Sequence, residues 1–146
     1  MIVGLIGNGY WGKIWHKTLT SMTSTVDSVD VVTHDYKSLI DKSNIQCIII
    51  ATPAETHFQI AKDCLEAGKH ILVEKPFVTN SAQTKELRDL AEKNNLIVMI
   101  GHEYLFNDGI LRLKKLIDDD VLGEIKTYYS HRMSSGNYAN ALWEMG

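Results

Sequence analysis

A short apolar strand that runs straight into G-x-G-x-x-G opens this chain. Residues 2–6 read Ile-Val-Gly-Leu-Ile, and Gly7, Asn8, Gly9, Tyr10, Trp11 and Gly12 follow at once. Three glycines at that spacing, at the carboxyl end of a buried strand, suit a backbone that must pass close to a pyrophosphate. Gly7 makes the tight turn, Gly9 leaves room for the phosphates, and Gly12 lets the next helix pack on the sheet. The helix N-terminus then offers unpaired N–H groups and a favourable dipole to an anion. The competing reading is a structural glycine turn, and the β-branched strand before the motif and the amphipathic helix after it favour the dinucleotide.

Strands and helices alternate from there. Trp11, Ile14, Trp15, Thr18 and Leu19 recur at helical spacing, so residues 10–20 form a helix with one buried face. Both tryptophans read first as helix–sheet packing. Residues 21–28 are polar and loop-like, 29–33 are β-branched, and 35–40 suit a short helix. Cys47-Ile-Ile-Ile-Ala51 is the continuous apolar run of a central parallel strand. Thr52, Pro53 and Glu55 read as N-cap, first helical residue and capping-box partner of a helix that stops at Gly68. A strand over 70–73 leads into Glu74, Lys75 and Pro76. Asn80 and Gln83 form a second capping box, residues 96–100 make another buried strand, and Asp108 caps a helix through Leu111, Leu113, Leu116 and Ile117. Gly123 breaks that helix, and residues 125–133 alternate like a strand. This order predicts an α/β fold: a doubly wound, mostly parallel sheet with helices on both faces. The expected domain is residues 1–122, with 123–146 beginning something else.

Composition narrows the function classes. With 146 residues the chain has the size of one domain, and its net charge of −3 comes without a basic stripe, so nucleic-acid binding has no support. No apolar run approaches the ~20 residues of a membrane span. The start lacks a basic segment followed by a long apolar one, so no signal peptide is expected. Cys47 and Cys64 fall in a strand and a helix and read as small buried residues, which fits a reducing, cytoplasmic setting. His16, His34, His70 and His131 show no metal-ligand spacing, so no metal site is expected. Nor is there a nucleophile-elbow serine.

In doubly wound sheets the ligand lies outside the carboxyl ends of the strands. Four strand ends here carry unusual residues, and their convergence on one edge is the argument for a site. Lys75, between a carboxyl group and a proline, stands at the cleft mouth. It could hydrogen-bond a substrate hydroxyl and help its proton leave, or touch the nicotinamide end of a cofactor; the plain alternative is a surface pair with Glu74. His57 reads equally as a cofactor neighbour or a helix-packing histidine. His102 and Asn107 could line a substrate cleft or simply form turns.

The motifs together resemble the Gfo/Idh/MocA oxidoreductases. G-N-G-Y-W-G at 7–12, A-T-P-A-E-T-H at 51–57, A-G-K-H-I-L-V-E-K-P at 67–76 and G-H-E-Y-L-F-N at 101–107 carry the likeness, which covers nearly the whole chain. It implies a Rossmann NAD(P)-binding fold and an NAD(P)-dependent dehydrogenase acting on sugars, cyclitols or nucleotide sugars. By resemblance Lys75 is the lysine of the E-K-P motif and belongs to the active site, and Thr52, Pro53, His57 and Glu74 join the glycine loop around the cofactor. Gly123-Glu-Ile125 and residues 128–132 look like the passage into the family's second domain, and residues 141–146 like the start of its W-D/E-x-G/A-P-H-D segment.

Two departures stand out. The chain ends before Pro-His-Asp, so the family's catalytic histidine and large antiparallel sheet are expected to lie outside it. The stretch between the first helix and Cys47 is also shorter than the family norm by one strand–helix unit. A strand over 29–33 is then left to pair with the first strand, placing Thr33, His34 and Asp35 where an acid binds the adenosine ribose. Asp35 lies about twenty residues past the glycine loop, which fits NAD better than NADP. The same residues also resemble the family's turn before its next strand, where they bind no ribose. The expected function is a sugar- or cyclitol-type dehydrogenase represented by its nucleotide-binding domain. The alternative is a non-catalytic or split-enzyme binding module. The expected partners are a sugar-like substrate and either a second copy or a chain supplying the missing domain.

Overall fold

The computed structural model describes residues 1–131. β1 (Ile2–Ile6), α1 (Tyr10–Ser21), β2 (Ser28–Val32), a short α2 (Lys37–Ile40), β3 (Ile45–Ile50), α3 (Ala54–Glu66), β4 (His70–Val73), α4 (Ser81–Lys93) and β5 (Val98–Ile100) follow in turn. A 3-10 segment, Glu103–Phe106, and α5 (Asp108–Asp118) come after them. The chain divides into two compact units, one spanning Met1–Gly101 and one that begins at His102.

All strand pairs are parallel, in the order β2-β1-β3-β4-β5. This is the doubly wound α/β fold, and its winding reverses between β1 and β3, the point at which sheets of this kind bind their ligands. β2 pairs with β1 as the short linking stretch requires, Val3 opposite Val29 and Ile6 opposite Val32. Larger dinucleotide-binding sheets carry a further strand outside this position. Among the described residues the sheet stops at β2, one strand–helix unit short.

Side chains alternate across the sheet. Val3, Leu5 and Ile49 meet Leu19 of α1 on one face. Ile6, Ile48, Ile50, Ile71 and Val73 are covered on the other face by Ile60, Ala61, Cys64 and Leu65 of α3 and by Leu87 and Ala91 of α4. Burial on both faces explains why the β3 sequence is an unbroken apolar run.

Several local expectations are corrected. Pro53, extended at φ −60° and ψ 141°, is the N-cap of α3, and no side chain caps that helix. Thr52 Oγ1 instead accepts a 2.7 Å hydrogen bond from Thr56 Oγ1, so the expected cap at Thr52 does not form. Asn107, not Asp108, caps α5, its Oδ1 accepting from Ile110 N at 3.1 Å. Residues 125–131 form no strand, because among the described residues no strand lies alongside to share their backbone hydrogen bonds. The rest of that expected strand and the segment 141–146 lie outside the described residues. Asn80 does cap α4, accepting from Ala82 N at 2.7 Å, and Gly68 ends α3 with φ +74°.

Candidate functional site

Parallel pairing brings the sequence-predicted loops to one edge of the sheet. The ladder continues past the strands: Gly7 N donates to Val32 O at 2.9 Å, Ala51 N to Ile6 O at 2.8 Å, Glu74 N to Ile50 O at 2.9 Å and Gly101 N to Val73 O at 2.8 Å. The glycine loop, the Thr-Pro loop and the Glu-Lys-Pro loop therefore stand side by side.

Within the glycine loop each glycine has its own reason. Gly7 adopts φ +102°, and a Cβ there would lie 2.4 Å from Ala51 O. A Cβ on Gly12 would lie 2.2 Å from Gly7 O, so only glycine lets α1 approach the turn this closely. At Gly9 a Cβ would meet no protein atom within 4 Å. Gly9 is also the N-cap of α1, and no side chain caps the helix. The amides of the first turn, which have no intrahelical acceptors, adjoin that open space. Room for a phosphate and donors to hold it occur together, so these residues fit the pyrophosphate of a dinucleotide. Tyr10 and Trp11 are exposed and meet edge-to-face, their centroids 5.5 Å apart.

His57 is only 1 % exposed. Its Nδ1 lies 2.8 Å from Pro76 O and its Nε2 lies 2.9 Å from Thr52 O. Both ring nitrogens are engaged by backbone, so the ring ties the β3 loop to the β4 loop and leaves neither nitrogen for a ligand. Of the two sequence readings, helix packing describes this placement.

Glu74 is 6 % exposed, which rules out a solvated surface pair with Lys75. Its Oε1 accepts a 2.6 Å hydrogen bond from Trp15 Nε1, and its Oε2 accepts from Lys75 N at 3.3 Å. The carboxyl group lies against Gly101, where a Cβ would come within 3.1 Å of Oε1. Lys75 Nζ stands 5.9 Å from the centroid of the Trp11 ring, within cation–π range. Trp15 is the residue whose polar role sequence reading missed. The available signal was chemical: a tryptophan that packs against a sheet still needs an acceptor for its N–H.

Asp35 is exposed, three residues past β2, where it takes part in a turn: Oδ1 accepts from Ser38 N at 3.4 Å and Ser38 Oγ donates to Asp35 O at 2.7 Å. Thr33 Oγ1 lies 2.8 Å from His34 Nδ1. His102 and Asn107 belong to the second unit, and the Asn107 side chain serves as the α5 cap. Among the described residues no cluster of His, Cys, Asp and Glu is placed to hold a metal ion, and no helix is long and apolar enough to cross a membrane.

The family model for the Gfo/Idh/MocA oxidoreductases, described as an oxidoreductase family with an NAD-binding Rossmann fold, matches residues 14–102. The oxidoreductase YdgJ of Escherichia coli (strain K12) is 37% identical over 145 residues, covering 88% of this chain and 42% of its own length. The scyllo-inositol 2-dehydrogenase (NADP(+)) IolW of Bacillus subtilis (strain 168) is 28% identical over 142 residues, or 86% of this chain and 40% of its own. The crystal structure of scyllo-inositol dehydrogenase from Lactobacillus casei with bound NAD(H) and scyllo-inositol matches with a TM-score of 0.72. The match covers 85% of this chain and 42% of that one at 22% identity, a likeness of fold. The chain thus spans about two fifths of the length of the curated relatives it matches. It belongs to the Gfo/Idh/MocA oxidoreductase family, of which it carries the NAD-binding Rossmann domain.

Proposed function

We propose that this chain is the cofactor-binding part of a dehydrogenase that oxidises an alcohol carbon of a sugar or cyclitol. The observation that carries the reading is the Lys75 head group, 5.9 Å from a ring that belongs to the glycine loop. It puts a cation beside the phosphate-binding turn, at the strand end where a substrate hydroxyl would arrive. NAD, when bound, accepts the hydride. Residues 7–12 hold its pyrophosphate, Thr52 and Pro53 border the same crevice, and Glu74 fixes the backbone from which Lys75 projects. The Lys75 ammonium donates a hydrogen bond to the oxygen of the hydroxyl being oxidised and stabilises the negative charge that develops there as the hydroxyl proton passes to water.

Asp35, just past the end of β2, is the acid for the ribose hydroxyls and favours NAD, since a carboxylate there repels the additional phosphate of NADP. The domain boundary falls near residue 122, and the chain from 123 leads toward a substrate domain. Relatives named for scyllo-inositol support a polyhydroxylated ring as substrate. Free Cys47 and Cys64 fit a cytoplasmic setting.

A second reading, a nucleotide-binding module without turnover, is favoured by the shortened ribose side of the sheet, which among the described residues ends at β2. One assay separates the two. NAD reduction is followed with a panel of cyclitols and sugars, using the 146-residue chain and a chain extended to the relatives' length. The dehydrogenase reading expects polyol-dependent reduction by the extended chain and its loss in Lys75→Met. Cofactor binding without oxidation of any polyol by either chain favours the module.

A further inference from the structure

We infer that Trp11 and Trp15 are a positioning pair that fixes the Lys75 head group relative to the phosphate-binding turn, an inference that rests on the cofactor reading above. The two tryptophans are four residues apart on α1, hence on one face of the helix. They meet two consecutive residues at the end of β4. Trp15 Nε1 donates to Glu74 Oε1 at 2.6 Å, and the Trp11 ring lies 5.9 Å from Lys75 Nζ. Glu74 Oε2 in turn accepts from Lys75 N at 3.3 Å. The contacts close a circuit: from the helix through Trp15 to Glu74, along the chain to Lys75, and through its ammonium back to Trp11.

The circuit has the features of a fitted device. Glu74 is 6 % exposed, and a hydrogen bond to a carboxyl group removed from water is stronger than one at the surface. The carboxyl group is confined on its far side by Gly101, where a Cβ would stand 3.1–3.2 Å from its atoms. Neither tryptophan is needed to shape the turn itself, because Gly7 and Gly12 do that through backbone approach. What the pair adds is a fixed relation between the strand end bearing the lysine and the helix bearing the phosphate donors. A cofactor bridging the two depends on that relation at its nicotinamide end, whereas its ADP-ribose part depends on the turn and on the end of β2.

Calorimetric titration with NADH and with ADP-ribose, which lacks the nicotinamide, tests the pair. Trp15→Phe keeps a ring and loses the N–H. It should weaken NADH about tenfold while leaving ADP-ribose unchanged. Trp11→Leu, which removes the exposed ring and leaves the backbone of the phosphate-binding turn in place, should weaken NADH more than ADP-ribose and serves if Trp15→Phe does not fold. In a Lys75→Met background neither substitution should weaken NADH further, because residues acting through one group are not additive. Equal weakening of both ligands, or additivity with Lys75→Met, overturns the inference and leaves the cofactor reading standing. A wild-type chain that binds neither ligand overturns the cofactor reading itself and the inference with it.

Discussion

His57 Nδ1 stands 2.8 Å from the carbonyl oxygen of Pro76, and the same ring reaches Thr52 O at 2.9 Å through Nε2. One buried side chain thereby holds together the loops that follow β3 and β4. Replacing it by alanine removes the ring that lies between the two carbonyl groups and opens a cavity between the loops. His57→Ala should lower stability by about 2–4 kcal/mol, read as a fall in the urea midpoint. An unchanged midpoint would show that the loops do not depend on the bridge.

The glycines of the first turn should separate by role. Gly7→Ala and Gly12→Ala place a Cβ 2.4 Å from Ala51 O and 2.2 Å from Gly7 O, so both should lower the thermal midpoint or prevent folding. Gly9→Ala adds its methyl group to open space, so its midpoint should match the wild type. Equal destabilisation by all three substitutions would contradict this assignment.

Stability should fall above about pH 9. Burial, with Asp63 adding to it, pushes the Cys64 thiol up to about 12 from 9.0. Burial and then the 2.8 Å hydrogen bond to Asp63 push the Tyr36 hydroxyl up to about 12 from 10.0. Both folded values are raised, so their stabilisation is complete below the unfolded values and is lost as pH rises toward the folded ones. Between the two, the unfolded chain has released protons that the folded chain still holds. The slope is about 1.4 kcal/mol per pH unit for a fully buried group, and half-buried Tyr36 contributes less. Urea unfolding of the wild type and Cys64→Ala across this range checks the onset, which should flatten in the variant.

Ile110, Leu111 and Ile117 of α5 and Ile125, Tyr128 and Tyr129 beyond it are exposed. Apolar surface of this kind favours association. Sedimentation should show a dimer or larger species that shifts toward monomer in Ile125→Asp. A clean monomer at high concentration would contradict this.

Much of the fold was legible because its signals are local. The run of residues 47–51 reads as a central strand from composition alone, and β1 with its glycine turn reads from spacing. The α3 cap was misread because Pro53, whose φ suits a first helical turn, also suits the extended residue before one. The strand expected from 125 failed because alternation permits a strand and only a neighbour completes it. In the site, the meeting of the glycine, Thr-Pro and Glu-Lys-Pro loops followed from parallel topology. The Trp15–Glu74 bond spans 59 positions and leaves no periodic trace. His57 illustrates the remaining gap, since its spacing on the helix fits burial and ligand contact equally well.

The central claim, that residues 7–12 hold a dinucleotide, is tested most directly by calorimetric titration of the wild-type chain and Gly9→Ala with NADH. The account predicts one saturable site per wild-type chain and binding at least about tenfold weaker in Gly9→Ala at an unchanged thermal midpoint, because the new methyl group occupies the space left for phosphate. No saturable binding by the wild type, or equal binding by the two chains, would contradict it.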